Sequence, residues 1–154
     1  MKSIAKTIIT VLALAVPLSA AKIENTSLKE LCSVDYPART QAGDMKGTLS
    51  VCALESALGR DASLYIVSSF EKEYPSGIDH ILEHSIGPII EKRGEEIAIL
   101  YTSGTNSTCV AIYTIESGTA EFVKVEVIAW YDEGVYRKSE DFEKYESLLN
   151  KRDA

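Results

Sequence analysis

Both histidines of the 154-residue chain fall in the stretch SGIDHILEHSIG, as His80 and His84, with Glu83 directly before the second. Imidazole is a common metal ligand. On a helix, H-x-x-E-H sets the two rings one turn apart, where they can chelate one divalent ion while the glutamate activates a bound water. That chemistry assigns His80 and His84 as metal ligands and Glu83 as the catalytic base, and it needs a helix over about 78–85. At about 100° per residue, Ile78, Ile81, Leu82, Ile86 and Ile89 gather on one side of such a helix. Both histidines then lie on its polar side, as they would on any amphipathic surface helix.

The segment GIDHILEHSIG resembles the zinc-binding helix of pitrilysin-type peptidases and the metal-binding helix of S-ribosylhomocysteine lyase. The resemblance to the lyase implies His80 and His84 as ligands, Glu83 as general base and Cys109 as the third ligand. It spans about ten residues of the 154. Thr108 stands where the lyase has a glycine before its cysteine, and the peptidases are several times longer than this chain. No other motif completes a catalytic set. Ser69-Phe70-Glu71-Lys72 has S-x-x-K spacing without the S-D-N and K-T-G elements that accompany it, and the chain contains no G-x-S-x-G, phosphate-cradling glycine loop or C-x-x-C. No cofactor is expected unless the histidines bind zinc or a similar divalent metal, and the balance of motifs points away from an enzyme.

The surrounding elements are read from both ends inward. The opening MKSIAKTIITVLALAVPLSAAK has two lysines, an apolar run and then small residues, the order of a bacterial secretory signal peptide cut after Ala21. The expected organisation is a leader over 1–21 and a single domain over 22–154, periplasmic or secreted. The run is shorter than the roughly 20 residues a bilayer requires, and no cysteine follows it to carry a lipid, so neither a membrane span nor a lipid anchor is expected. Loss of Lys2 and Lys6 with the leader moves the formal charge from −7 to −9. Such a surface repels a phosphate backbone, which excludes nucleic acid as an expected partner and favours a basic protein.

Three cysteines follow the leader: Cys32, Cys52 and Cys109. Export favours a bridge between two of them, and the neighbours Cys32 and Cys52 are the first choice, worth roughly 3 kcal/mol by loop closure. Cys52 with Cys109, or three free thiols, are the alternatives. Ser27 and Glu30 form a capping box for a helix over about 27–33, a loop rich in turn formers follows, and TLSVCALESALG reads as a second helix stopped by Gly59. Residues 61–74 fit a helix capped by Asp61 or a strand, ending at Pro75 in either case.

Beyond Gly94, EEIAILYTSG, STCVAIYTIES and AEFVKVEVIAWYDE read as strands separated by turns. In the last, Val123, Val125, Val127 and Ala129 alternate with Lys124 and Glu126, which predicts a buried valine face. Trp130, Tyr131 and Tyr136 sit beside Asp132 and Glu133, either as an interaction patch with an acidic rim or as a cap on the core. Ser139 is the expected cap of a final helix with a stripe of Phe142, Tyr145, Leu148 and Leu149. The expected fold is α+β, with a helical N-terminal half and a three-stranded antiparallel meander covered by helices, including the C-terminal one. The expected function is that of a small exported acidic binding protein of the inhibitor or immunity type. Its target would be a protein such as a cell-wall hydrolase or toxin. The alternative is a small zinc-type metallohydrolase built on the H-x-x-E-H segment.

Overall fold

A computed structural model describes residues 28–55, 62–71, 77–104 and 106–154. The leader over 1–21, the Ser27 and Asp61 caps and the stops at Gly59 and Pro75 lie outside the described residues. The described chain is a meander of eight antiparallel strands, each paired with the next. They are β1 (Leu28–Thr40), β2 (Gly43–Leu54), β3 (Ala62–Phe70), β4 (Gly77–Arg93), β5 (Glu96–Ser103), β6 (Thr108–Thr114), β7 (Glu121–Asp132) and β8 (Val135–Lys138). One helix, α1 (Phe142–Asp153), follows. The α+β expectation with a helical N-terminal half is overturned, because the fold is mostly β, with two antiparallel sheets of four and five strands and a C-terminal helix.

Burial explains the error. Leu28, Leu31 and Cys32 match a helical period, but Cys32, Val34, Tyr36 and Ala38 match a period of two, and that set faces the core while Ser33, Asp35, Pro37 and Arg39 face out. Pro37 is tolerated because β1 ends the strand order, where a missing N–H breaks no inner ladder. In β2 the inward set is Leu49, Val51 and Ala53, and in β3 it is Leu64 and Ile66. Short apolar runs satisfy both periods locally, so packing against a neighbouring strand decides between them.

β4 joins the two sheets. It pairs with β3 as far as Ser85 and with β5 from Ser85 onward. A register shift between Ile86 and Ile89 spans Gly87, at φ 61°, and Pro88. The left-handed glycine supplies the bend that carries the strand from one sheet into the next. The strands β5 and β6 are buried on both faces. Ile97, Ile99, Tyr101, Cys109, Ala111 and Tyr113 meet the first sheet, while Ala98, Leu100, Val110 and Ile112 meet α1.

On α1, Phe142, Tyr145 and Leu148 are buried as their spacing predicts. Side chains bind the helix to the second sheet: Lys144 to Glu96 at 3.3 Å, Lys151 to Glu91 at 3.2 Å, and Arg152 to the Thr102 hydroxyl at 2.8 Å. Arg93 donates to the Lys144 carbonyl. Ser139 Oγ accepts the Asp141 N–H at 3.2 Å just ahead of the helix, whose cap position is Asp141.

All three cysteines are free thiols on strands, which corrects both the Cys32–Cys52 bridge and the helices that were to carry it. Cys32 lies opposite Val51 and Cys52 opposite Glu30, on either side of a bulge in β1. A disulfide needs two facing Cβ atoms, which this offset does not provide. Burial pushes the Cys32 thiol up to about 12 and raises Cys52 and Cys109 as well.

Candidate functional site

The H-x-x-E-H segment lies in β4, not in a helix. At about 3.3 Å per residue, strand positions 80 and 84 are roughly 13 Å apart, whereas a shared ion needs ligands one helical turn apart. Among the described residues no group of three or more His, Cys, Asp or Glu side chains is placed to hold a metal ion. Cys109 is buried between the two sheets, packed with core residues.

What β4 does bring together is a polar cluster at one end of the space between the sheets. The register shifts between Ile66 and Val67, opposite His80 and Ile78, leaving Asp79 as an extra, unpaired residue. Such a bulge re-aims a side chain that strict alternation would send to the other face. A second bulge lies across from it, where Val123 is the extra residue between the pairs Ile112–Lys124 and Tyr113–Phe122. Between the two bulges the His80 imidazole stacks on Phe122, with centroids 4.1 Å apart and planes at 14°, and Phe122 meets the Tyr113 ring edge-on at 5.6 Å.

Two glycines set this end of the molecule. Tyr36 lies directly across from Gly47, and a Cβ on that glycine would stand 2.5 Å from Tyr36 Cζ, so only glycine lets the ring lie over β2. The ring position carries the Tyr36 hydroxyl to the Ala120 N–H, which it accepts at 3.1 Å in a buried contact. Gly118, at φ 104°, lets its carbonyl take the Arg39 N–H at 2.8 Å. These contacts tie β1 to the turn before β7.

The electrostatics of the cluster are uneven. Part of Asp79 reaches solvent, yet its apolar surroundings raise its carboxyl above the usual range, and Glu121 nearby adds to the rise. Burial lowers His80 and lifts Tyr113 well above the ordinary phenol value. The Tyr113 hydroxyl is fully buried and has no partner at ordinary hydrogen-bond distance, but it points its donor at the Asp79 carboxyl closely enough to offset part of that group's rise. A buried polar atom left in that state is uncommon in a folded protein and calls for an explanation.

Next to this cluster runs an uncovered strand face. Phe122, Val125 and Val127 pair with Tyr113, Ala111 and Cys109, so they share the inter-sheet side of the second sheet. Tyr113, Ala111 and Cys109 are buried, but Val125 and Val127 are 40% and 45% exposed and Val123 is 50% exposed. The cover given by the first sheet therefore stops between β6 and β7. The alternation in β7 is real, but the expected burial of its valines is not, while the helix side holds buried Ile128 and half-buried Glu126.

The aromatic patch lies just beyond. Tyr131 and Tyr136 are a cross-strand pair, 60% and 43% exposed, with rings 5.1 Å apart, and Trp130 is half-buried opposite Arg137. Both tyrosines thus lie on the surface rather than over the core. Asp79, Glu121, Tyr113 and Phe122 had no signal in the sequence, because the bulges that gather them exist only in the strand register.

One further concavity, of about 560 Å³, lies between the start of α1 and strands β5 to β7. Its charges are already engaged with one another: Lys144 with Glu96, Lys124 with Glu126 at 3.5 Å, and Glu126 with the Asp141 carboxyl, which raises it. Among the described residues no helix is long and apolar enough to cross a membrane. No family model matches the chain, and neither a curated protein nor a solved structure gives a match.

Proposed function

We propose that the chain is an exported acidic binding protein that docks a basic protein partner through the β7–β8 face, in the manner of an inhibitor or immunity protein. One observation carries the reading. Seven of the ten large apolar side chains exposed among the described residues belong to β7 and β8. Of these, Phe122, Val125 and Val127 form a row on the inter-sheet face of β7, whereas Tyr136 lies toward Arg152 and Asp153 of α1; scattered apolar residues are normal on a surface, but such a row with a polar rim is the usual mark of a protein interface. The strip is bounded by Glu121 at one end and by Asp132 and Glu133 at the other. With a formal charge of −9 after loss of the leader, it offers an apolar centre and an acidic surround to a partner of opposite charge. Cell-wall hydrolases and toxins are the proposed targets, reached in the periplasm or outside the cell.

The test uses the mature chain and a Val125→Lys/Val127→Lys variant, both immobilised and exposed to periplasmic extract and to a panel of purified basic cell-wall hydrolases. The expected result is capture of one basic protein by the wild type, weakened by salt and lost in a variant that still folds. Binding of that protein must then be reproduced with purified material. No capture across the panel, or capture indifferent to the two substitutions, overturns the reading.

A further inference from the structure

β7 is twelve residues long, yet β8, the strand on its outer side, pairs only with Ala129–Asp132. The direction of the remaining backbone groups follows from the preceding hairpin. In β5–β6 the bonded pairs fall on odd positions, because the Ser103 N–H donates to the Ser107 carbonyl and the Ile115 N–H to that of Glu95. Val110 and Ile112 therefore turn their N–H and C=O toward β7, where they meet Glu126 and Lys124. Val125 and Val127, alternating with these, turn their own N–H and C=O outward. The Ile128 carbonyl, next along, already accepts the Ser139 N–H at 2.9 Å. Among the described residues nothing pairs with Val125 and Val127 on that side. The other outer strand, β1, is blunted by Pro37, and its Arg39 N–H is bonded to the Gly118 carbonyl.

We propose that the partner protein adds an extended segment to this open edge as a further strand, with an apolar–basic–apolar triplet set opposite Val125, Glu126 and Val127. This rests on the docking role proposed above and names how the contact is made. Outward N–H and C=O groups at strand spacing are the complement of another extended chain. The Val125 and Val127 side chains, 40% and 45% exposed, share the inter-sheet side, so the two apolar residues of the triplet extend that row and cover it. The middle residue points to the α1 side, beside Glu126. There the Glu126 carboxyl is hydrogen-bonded to that of Asp141, and both line the concavity of about 560 Å³. Two adjoining carboxyls favour a basic side chain at this position over a neutral or acidic one. The Lys124 amine, 3.5 Å from Glu126 and 54% exposed, is a weak competitor for it. The open run stops at the Val123 bulge and at Ser139, which leaves it about as long as β8. So short an edge resists indiscriminate pairing and leaves selectivity to the three side chains.

The test follows backbone amide resonances and amide exchange in the mature chain, with the peptide acetyl-Thr-Val-Arg-Val-Thr-amide as probe. In the free chain the Val125 and Val127 amides should exchange far faster than those of Lys124 and Glu126, which face β6. Peptide in the millimolar range should give a saturable shift centred on Val125 and Val127 and slow their exchange. Methylating the amide nitrogens of both peptide valines, which face β7, should abolish binding, whereas methylating that of the arginine, which faces away, should leave it within about threefold. Replacing the peptide arginine by glutamate should weaken binding about tenfold, the size of one hydrogen bond to a charged group. Val125→Pro deletes one outward donor without touching the ladder to β6, and it should weaken the peptide about tenfold in a chain that still folds. Should that variant unfold, the methylated peptides decide the matter on the wild type. Protected Val125 and Val127 amides in the free chain, no saturable shift, or equal binding of the valine-methylated peptide overturns strand addition. Equal binding of the glutamate peptide overturns the basic residue of the triplet. If capture of the partner is lost in Val125→Lys/Val127→Lys but unchanged in a folded Val125→Pro, strand addition is wrong and the docking face stands.

Discussion

Replacing Gly47 by alanine tests the architecture of the cluster most directly. The added Cβ would stand 2.5 Å from Tyr36 Cζ, 2.8 Å from its hydroxyl oxygen and 2.9 Å from Cε1. Carbon atoms rest at about 3.5–4.0 Å, so the ring has to retreat by roughly 1 Å. The hydroxyl moves with it, and its hydrogen bond from the Ala120 N–H, now 3.1 Å, passes beyond hydrogen-bonding range. Two costs follow, overpacking of about 1–3 kcal/mol and a buried N–H without an acceptor at about 1–3 kcal/mol, for a loss of about 2–6 kcal/mol. Urea unfolding of both proteins, compared at constant m-value, measures it. The same substitution made in a Tyr36→Ala background should cost almost nothing, since the clash and the hydrogen bond are then both gone. A loss below about 1 kcal/mol in the wild-type background, or an undiminished loss in the Tyr36→Ala background, refutes the reasoning.

Other outcomes follow from the same cluster and from the core. The carboxyl of Asp79 has a folded pKa above its unfolded value, so its contribution to stability is complete below about pH 4 and is lost as pH climbs through the folded value. Asp79→Asn should therefore stabilise the protein at pH 7 and give no gain at pH 3. Thermal melts at the two pH values check this, and an equal gain at both would contradict it. Tyr113→Phe removes a hydroxyl without a partner at ordinary hydrogen-bond distance and should leave the urea midpoint unchanged or higher; a loss above about 1 kcal/mol would show that the hydroxyl is bonded. Val125→Thr and Val127→Thr should each stay within about 0.5 kcal/mol of wild type, whereas Leu148→Ala under α1 should cost about 2–5 kcal/mol. A thiol reagent should leave Cys32, Cys52 and Cys109 unmodified in the native protein and label all three after unfolding without reductant, and any count below three would restore a bridge.

Local periodicity was legible where only one period fits. The runs that became β5, β6 and β7 are dense in β-branched and aromatic residues, and Phe142, Tyr145 and Leu148 admit no reading but a helix. The N-terminal half was misread because its apolar residues satisfy 3.6 and 2 together over short windows. In β2, Leu49 and Cys52 are spaced as on a helix, and Leu49, Val51 and Ala53 as on a strand. The H-x-x-E-H reading failed for the same reason, since its chemistry was borrowed from a helical spacing that β4 does not have. The candidate site was half visible. Tyr131 and Tyr136 were legible only as either a patch or a cap on the core, while Asp79 and Glu121, which lie 42 positions apart (121 minus 79), had nothing in the sequence to join them.

Composition and order by themselves determined the acidic charge, the alternation of β7 and the amphipathic C-terminal helix, because each is a property of single residues or of one short segment. Tertiary structure decided which face of β7 is covered, since that depends on where the first sheet ends. It also decided that His80 stacks on Phe122 rather than facing position 84 across a helical turn. Two one-residue register shifts, at Asp79 and Val123, decided the rest by aiming acids and aromatics from different strands at one place. A register shift arises from pairing between strands distant in sequence, so no single segment encodes it.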